Sequence, residues 1–311
     1  MTPRRQKIAV IGYGNQGRAQ AACLRDSGFP VIIGARKGKS FRAARRDGFC
    51  VLNVPRAVRS SDVVCVLLPD MAQKAVYARS IGPCLVRGQT LVFAHGFCVA
   101  FGLIKPPGFV DVVLLAPKAT GRQLRASFLD GTGTPGAYGV HRDASGSAKK
   151  TALSLARALR IRSPVRCTFA QEARANLFAE QAVTIGGLLG IIRAGYDTMV
   201  SRGVPPELAY HECVGVTKLI ADMLARDGLK AAIRGVSETA GYGALTRGGR
   251  VVTPAVKREM EKIFGEIESG EFAREWCAEH AAGMKEFAKL KQAAARHPLQ
   301  TVGEKTRRAR R

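Results

Sequence analysis

Along the first half of the chain, short unbroken runs of β-branched and aliphatic residues alternate with longer stretches in which apolar and polar positions mix. The runs fall at residues 7–11, 31–36, 63–68, 90–94 and 112–115. An unbroken apolar run of this length predicts a strand covered on both faces, as in a parallel sheet, whereas a half-exposed strand alternates. The intervening stretches are long enough for the crossovers that parallel neighbours require. The pattern predicts an α/β fold built on a doubly wound parallel sheet. After Gly139-Val140 a polar stretch, DASGSAKK, precedes a helix to Leu159 and a last strand ending near Phe169.

From residue 171 the apolar period becomes helical, with breaks at 203–206 (GVPP) and 227–228 (DG). Residues 172–200 are apolar around most of the circumference, which predicts a buried helix. Gly186 and Gly187 inside it predict close approach by a crossing helix, since glycine otherwise weakens a helix. The boundaries that follow are a sheet domain over 1–169, an all-helical domain over 170–292, and a basic, disordered tail over 293–311.

The first strand runs directly into Gly12-Tyr13-Gly14-Asn15-Gln16-Gly17 and an alanine-rich helix. In a strand, loop and helix of this kind the first glycine makes the tight turn and the second lets the backbone approach a pyrophosphate. The third lets the helix pack on its strand, with the phosphates over the helix N-terminus. The motif predicts a dinucleotide cofactor. Where an NADH-binding fold places an acid for the ribose 2′-hydroxyl, this chain has Arg36, Lys37, Lys39 and Ser40, and no acid before Asp47. Cations there suit a 2′-phosphate, so NADPH is expected over NADH. Later strand ends at Leu68-Pro69, His95-Gly96 and Pro117-Lys118 lie at the carboxyl edge of the sheet, where ligands bind. His95 and Lys118 are thereby candidates to meet a nicotinamide and an anionic substrate.

Composition changes this picture little. The chain has 311 residues, 46% hydrophobic and 23% charged, which is ordinary for a two-domain globular protein. Its formal net charge of +25 admits a polyanion partner, but the basic residues are spread along the chain, dense only at 36–46 and 305–311. A solvated tail is expected ahead of nucleic-acid binding. The eight cysteines contain no C-x-x-C pair, which favours buried thiols in a reducing compartment over disulfides or a zinc site. No apolar run approaches the roughly 20 residues of a membrane span, and no secretory segment precedes the first strand, so a cytoplasmic protein is expected.

The segments GYGNQGRAQAACLRDSG, SDVVCVLLPD, FAHGFCVAFGLIKPP, VDVVLLAPKATG and LFAEQAVTIGGL together resemble ketol-acid reductoisomerase, also called acetohydroxy-acid isomeroreductase, in its short form. The likeness runs from about residue 7 to about residue 276, in the family's order. It implies an N-terminal NADPH-binding Rossmann domain and a knotted, all-helical C-terminal domain that dimerises, each active site drawing residues from two subunits. For the cofactor it implies Gly12 to Gly17, Arg36, Ser40, Leu68, Pro69, His95 and Gly121. For catalysis and substrate binding it implies His95, Lys118, Glu180, Glu212 and Ser237.

The resemblance also implies two magnesium ions, and there the chain departs from the pattern. Where the family's helix resembles KEETETDLFGEQ, residues 170–181 read AQEARANLFAEQ: Glu180 keeps a ligand position, but Asn176 stands for the bridging Asp. Where the family resembles AYFECLHELKLI, residues 209–220 read AYHECVGVTKLI, keeping Glu212 and replacing a second Glu by Val216. Two carboxylates remain of four, and Mg²⁺ needs anionic oxygens. A paired site is therefore unexpected, while a single weak Mg²⁺ on Glu180 and Glu212 is still compatible. The expected activity is an NADPH-dependent oxidoreductase of a small 2-keto or 2-hydroxy-2-acyl acid with its isomerase step lost or reduced. The alternatives are a working reductoisomerase with a sparse metal site, and a non-catalytic nucleotide-binding protein.

Overall fold

The computed structural model describes residues 6–309. The chain divides into two compact units, 1–175 and 176–311. The division falls six residues beyond the expected boundary, inside the helix Phe169–Phe178.

The first unit is a Rossmann-like sheet of eight strands: β1 (Ile8–Ile11), β2 (Val31–Gly34), β3 (Cys50–Leu52), β4 (Val63–Val66), β5 (Thr90–Phe93), β6 (Asp111–Pro117), β7 (Thr134–Arg142) and β8 (Ile161–Arg166). Their order is β3-β2-β1-β4-β5-β6-β7-β8. All neighbours are parallel except β6 and β7. The central strands β1, β4 and β5 are buried at every position, as their unbroken apolar runs predict. Two strands depart from the expectation. β3 is a three-residue edge strand too short to stand out as an apolar run, and β7 carries Pro135, Gly136 and Gly139, which interrupt one. β7 is paired on both sides, and its register against β8 shifts between Pro135 and Ala137, where the proline and glycine are accommodated. The order reverses between β1 and β4, and the crevice outside their carboxyl ends is where doubly wound sheets take ligands.

The second unit is all-helical among the described residues. Helical turns widen into π-turns at Ala179–Thr184 and His211–Val216. These two turns carry Glu180 and Glu212, and π-turns recur at functional sites because they re-aim side chains.

Four expectations for this half are corrected. Gly186 and Gly187 do not serve a crossing helix: a Cβ on either would lie 2.0–2.1 Å from the carbonyl oxygens of Gln181 and Ala182, which the π-turn pushes towards the next turn. The 172–200 segment is not buried within the chain. The helical run Phe169–Ser201 is long and apolar enough, by length and composition, to cross a membrane, and 11% of its most apolar window is buried. The expectation that no run reaches that length is thus overturned as well. Finally, the tail is not a disordered extension as far as it is described. Pro298–Ala309 forms a helix in which Val302 is buried with Tyr196 and Ala209, so an apolar contact offsets its ordering cost.

Candidate active site

Four adjacent strands, β1, β4, β5 and β6, end side by side, and their following loops build one edge. Gly12 has φ +100°, and a Cβ there would lie 2.6 Å from the Leu67 carbonyl oxygen, so glycine is required where the ends of β1 and β4 meet. A Cβ on Gly17 would lie 2.3 Å from the Gly12 oxygen, while Gly14 has open space before it. The cradle therefore has the tight turn, the close helix contact and the free approach that a pyrophosphate needs. Residues 12–17 fit a dinucleotide.

The glycine loop is tied to the loop after β6. Gln16 Nε2 donates to the Ala119 oxygen at 2.8 Å. Gly121 sits so close to Asn15 that a Cβ would lie 2.2 Å from the Asn15 carbonyl oxygen. The helix Gly121–Leu129 is started by a capping box between Thr120 and Gln123. Arg36 and Ser40 are exposed beside the end of β2 and in the first turn of the helix Lys39–Arg46. Tyr13 is buried, and its hydroxyl donates to Asp47 Oδ2 at 2.6 Å, joining the glycine loop to the far end of that helix.

After β4, Leu68 is half-buried and Pro69 exposed. Gln73, one turn on, was not anticipated. Its Nε2 donates to the Leu68 oxygen at 3.0 Å and to Asp70 Oδ1 at 3.1 Å, while its buried Oε1 has no partner. A buried acceptor left open beside a cofactor cradle suits an amide donor on the ligand.

His95 and Lys118 are brought together by a residue that was also not anticipated as functional, Glu172. A Cβ on Gly96 would lie 2.2 Å from the Phe169 carbonyl oxygen, so only glycine lets the helix Phe169–Phe178 close on the end of β5. One turn later Glu172 enters the crevice edge with a side chain 2% exposed. Its Oε2 accepts from His95 Nδ1 at 2.9 Å and from the Gly96 N–H at 2.8 Å, and its Oε1 accepts from Lys118 Nζ at 2.6 Å. Three donors on one carboxylate fix its charge. Burial alone raises the Glu172 pKa, yet His95 and Lys118 outweigh it and hold the group down at about 2. Burial likewise opposes the imidazolium of His95, but the bond and charge of Glu172 raise its pKa, with Asp70 adding and Lys118 opposing. With Nδ1–H turned to the carboxylate, Nε2 is the nitrogen left for a ligand. The signal that could have found Glu172 is the glutamate at the same place in the pattern KEETETDLFGEQ.

The remaining candidates lie in the second unit. Glu180 and Glu212 are exposed, and Ser237 starts the helix Glu238–Val251 by accepting the Ala240 N–H at 3.2 Å. Asn176 Nδ2 donates to Glu180 Oε1 at 3.2 Å, so it meets the carboxylate as a hydrogen-bond donor, where a metal bridge needs an anionic oxygen. Val216 offers no donor atom. Among the described residues no group of three or more His, Cys, Asp or Glu side chains is placed to hold a metal ion. This donor set does not fit a pair of magnesium ions.

Residues 4–162 match the family described as acetohydroxy acid isomeroreductase, NADPH-binding domain, and residues 169–311 match ketol-acid reductoisomerase, C-terminal domain. The chain is 46% identical over 303 residues to the ketol-acid reductoisomerase (NADP(+)) of Pyrobaculum aerophilum, covering 96% of this chain and 92% of that protein. It is 45% identical to that of Pyrobaculum calidifontis over the same shares. The solved structure of an NADH-preferring ketol-acid reductoisomerase from an uncultured archaeon superposes with a TM-score of 0.94 at 41% identity, over 97% of this chain and 94% of that one. The chain therefore belongs to the ketol-acid reductoisomerase family, with residues 4–162 as its NADPH-binding domain and 169–311 as its C-terminal domain.

Proposed function

We propose that this protein carries out its family's chemistry on a small 2-keto or 2-hydroxy-2-acyl acid with NADPH, and that reduction is its robust half and isomerisation its attenuated half. The cluster of His95, Lys118 and Glu172 at the cofactor edge carries the reading. NADPH, when bound, supplies hydride to a keto carbon. Lys118, held by Glu172, hydrogen-bonds the reacting oxygen and delivers its proton. His95 Nε2 orients the same oxygen, and Glu180, Glu212 and Ser237 are the second unit's own candidates to hydrogen-bond a substrate. The identity to curated reductoisomerases supports the full two-step reaction as the second reading. Asn176 and Val216 weigh against it, because alkyl migration needs strong polarisation of two oxygens.

NADPH preference rests on Arg36 and Ser40. A structural relative prefers NADH, so the fold alone does not choose between the two cofactors. Replacing Arg36 by an acid and Ser40 by alanine should weaken NADPH binding about tenfold or more and NADH binding much less, through loss of a charge-assisted contact. Fluorescence titration with both cofactors, run beside turnover of 2-acetolactate and a panel of 2-keto acids, tests cofactor and reaction together. Equal affinity of the unmodified protein for NADPH and NADH would exclude the 2′-phosphate role. The absence of any NADPH turnover would favour a silent nucleotide-binding protein.

A homodimer or larger assembly is part of the same reading. Val183, Ile185, Leu188, Leu189 and Ile191 are exposed on the helical run that carries Glu180, as are Leu219, Ile220 and Leu224 on a second helix. So large an apolar surface requires cover. A second copy suits it better than a bilayer, since Glu180, Arg193 and Asp197 lie on the same run. Light scattering at micromolar concentration should give at least twice the chain mass, and a monomer would contradict the assignment.

A further inference from the structure

The C-terminal helix Pro298–Ala309 is seated on the segment that leads into the turn carrying Glu212. A Cβ on Gly303 would lie 2.7 Å from Tyr210 Cε2 and 3.0 Å from its Cζ and Oη, so the helix backbone rests directly on the tyrosine ring. Beside it Val302 is buried with Tyr196 and Ala209, and Leu299, Met199, Val204 and Cys213 pack against these three. The start of the helix is fastened separately. His297 Nδ1 accepts the Leu299 N–H at 3.2 Å, so Nε2 carries the hydrogen and donates to Asp197 at 3.3 Å.

Tyr210 is the last residue before the π-turn His211–Val216, and Glu212 is two residues further on. A π-turn breaks the regular helical ladder and depends on outside support. From just beyond this one, Thr217 Oγ1 donates to the Cys213 oxygen at 2.7 Å, but the side chain of Glu212 itself is exposed. Its aim is set by the backbone, and the backbone is braced from Tyr210 and Cys213.

We infer that the C-terminal helix is a positioning element for Glu212, with Gly303 as the positioning residue that admits the Tyr210 contact. The consequence for substrate binding rests on the role given to Glu212 above; the brace itself does not. The test uses the full chain with Gly303→Val, and Gly303→Ala in case the larger residue prevents folding. Hydrogen exchange over residues 211–216 should quicken about tenfold or more while residues 179–184 and the sheet unit stay within about twofold, because only the local opening equilibrium changes. KM for a 2-keto acid should rise about fivefold or more with kcat within about twofold and NADPH affinity unchanged, since a substrate-holding side chain is displaced and the reacting edge is not.

Unchanged exchange at 211–216 in both variants would overturn the inference. So would a fall in kcat that tracks the folded fraction at constant KM, which is the signature of a merely structural helix. Glu212→Gln measured alongside separates the two claims. If it leaves KM unaltered, the substrate role of Glu212 fails, and exchange at 211–216 alone decides the brace.

Discussion

Replacing Glu172 by glutamine should lower kcat/KM for 2-keto acid reduction by about a hundredfold or more while leaving NADPH affinity within about twofold. The carboxylate has two oxygens and receives three donors: His95 Nδ1–H, the Gly96 N–H and the Lys118 ammonium. An amide offers one accepting oxygen and two donating hydrogens, so at least one of those donors would face another donor. Lys118 would lose its counter-charge, and His95 would lose the bond that turns Nε2 outward. The glycine cradle depends on none of these contacts, which is why cofactor binding should survive. Steady-state kinetics and cofactor titration measure the two effects separately, and a glutamine variant with parental kcat/KM would show that Glu172 only fills space.

The same substitution has a signature in pH. Glu172 is held at about 2 against an ordinary 4.5, so its contribution to stability is full above 4.5 and lost as pH falls towards 2. The raised pKa of His95 acts in the other direction: its contribution is full below 6.5 and lost as pH rises through the raised value. The parent's advantage in thermal melting over Glu172→Gln should be about 3–5 kcal/mol between those limits, the cost of breaking one side of a buried pair, and should shrink on acidification.

The strands were legible in the sequence because β1, β4 and β5 are covered on both faces and spell unbroken apolar runs. β7 was not, because its proline and glycines carry turn chemistry into a strand that pairs antiparallel near the sheet edge. The cofactor cradle is local in sequence and could be read from glycine spacing alone. The His95–Glu172 contact joins residues 77 apart and depends on a backbone approach at Gly96, which no periodicity encodes. The C-terminal helix was hidden by its charge: Lys305, Arg307 and Arg308 read as a solvated tail, yet Pro298 at its first position and Leu299 with Val302 one turn apart are an ordinary helix start and apolar stripe.

Restoring the absent carboxylates should show what their loss has done. The double substitution Asn176→Asp and Val216→Glu returns anionic oxygens four residues from Glu180 and Glu212, the first in the helix that leads into the turn of Glu180 and the second in the turn of Glu212 itself. Asn176 touches Glu180 at 3.2 Å, so an aspartate there would set two carboxylates against each other without a cation between them. That repulsion is what a divalent ion relieves, and it makes the restored protein both less stable without magnesium and more avid for it. Magnesium affinity in the presence of NADPH should rise about tenfold or more, and migration of the alkyl group in 2-acetolactate should rise with it, whereas reduction of a preformed 2-keto acid should change little. Isothermal titration of Mg²⁺ into both proteins, beside the two turnover assays, gives the comparison. If the unmodified protein binds two Mg²⁺ tightly and turns over 2-acetolactate as readily as the keto acid, Asn176 and Val216 are tolerated by the metal site, and the full reductoisomerase reaction takes the place of the attenuated one.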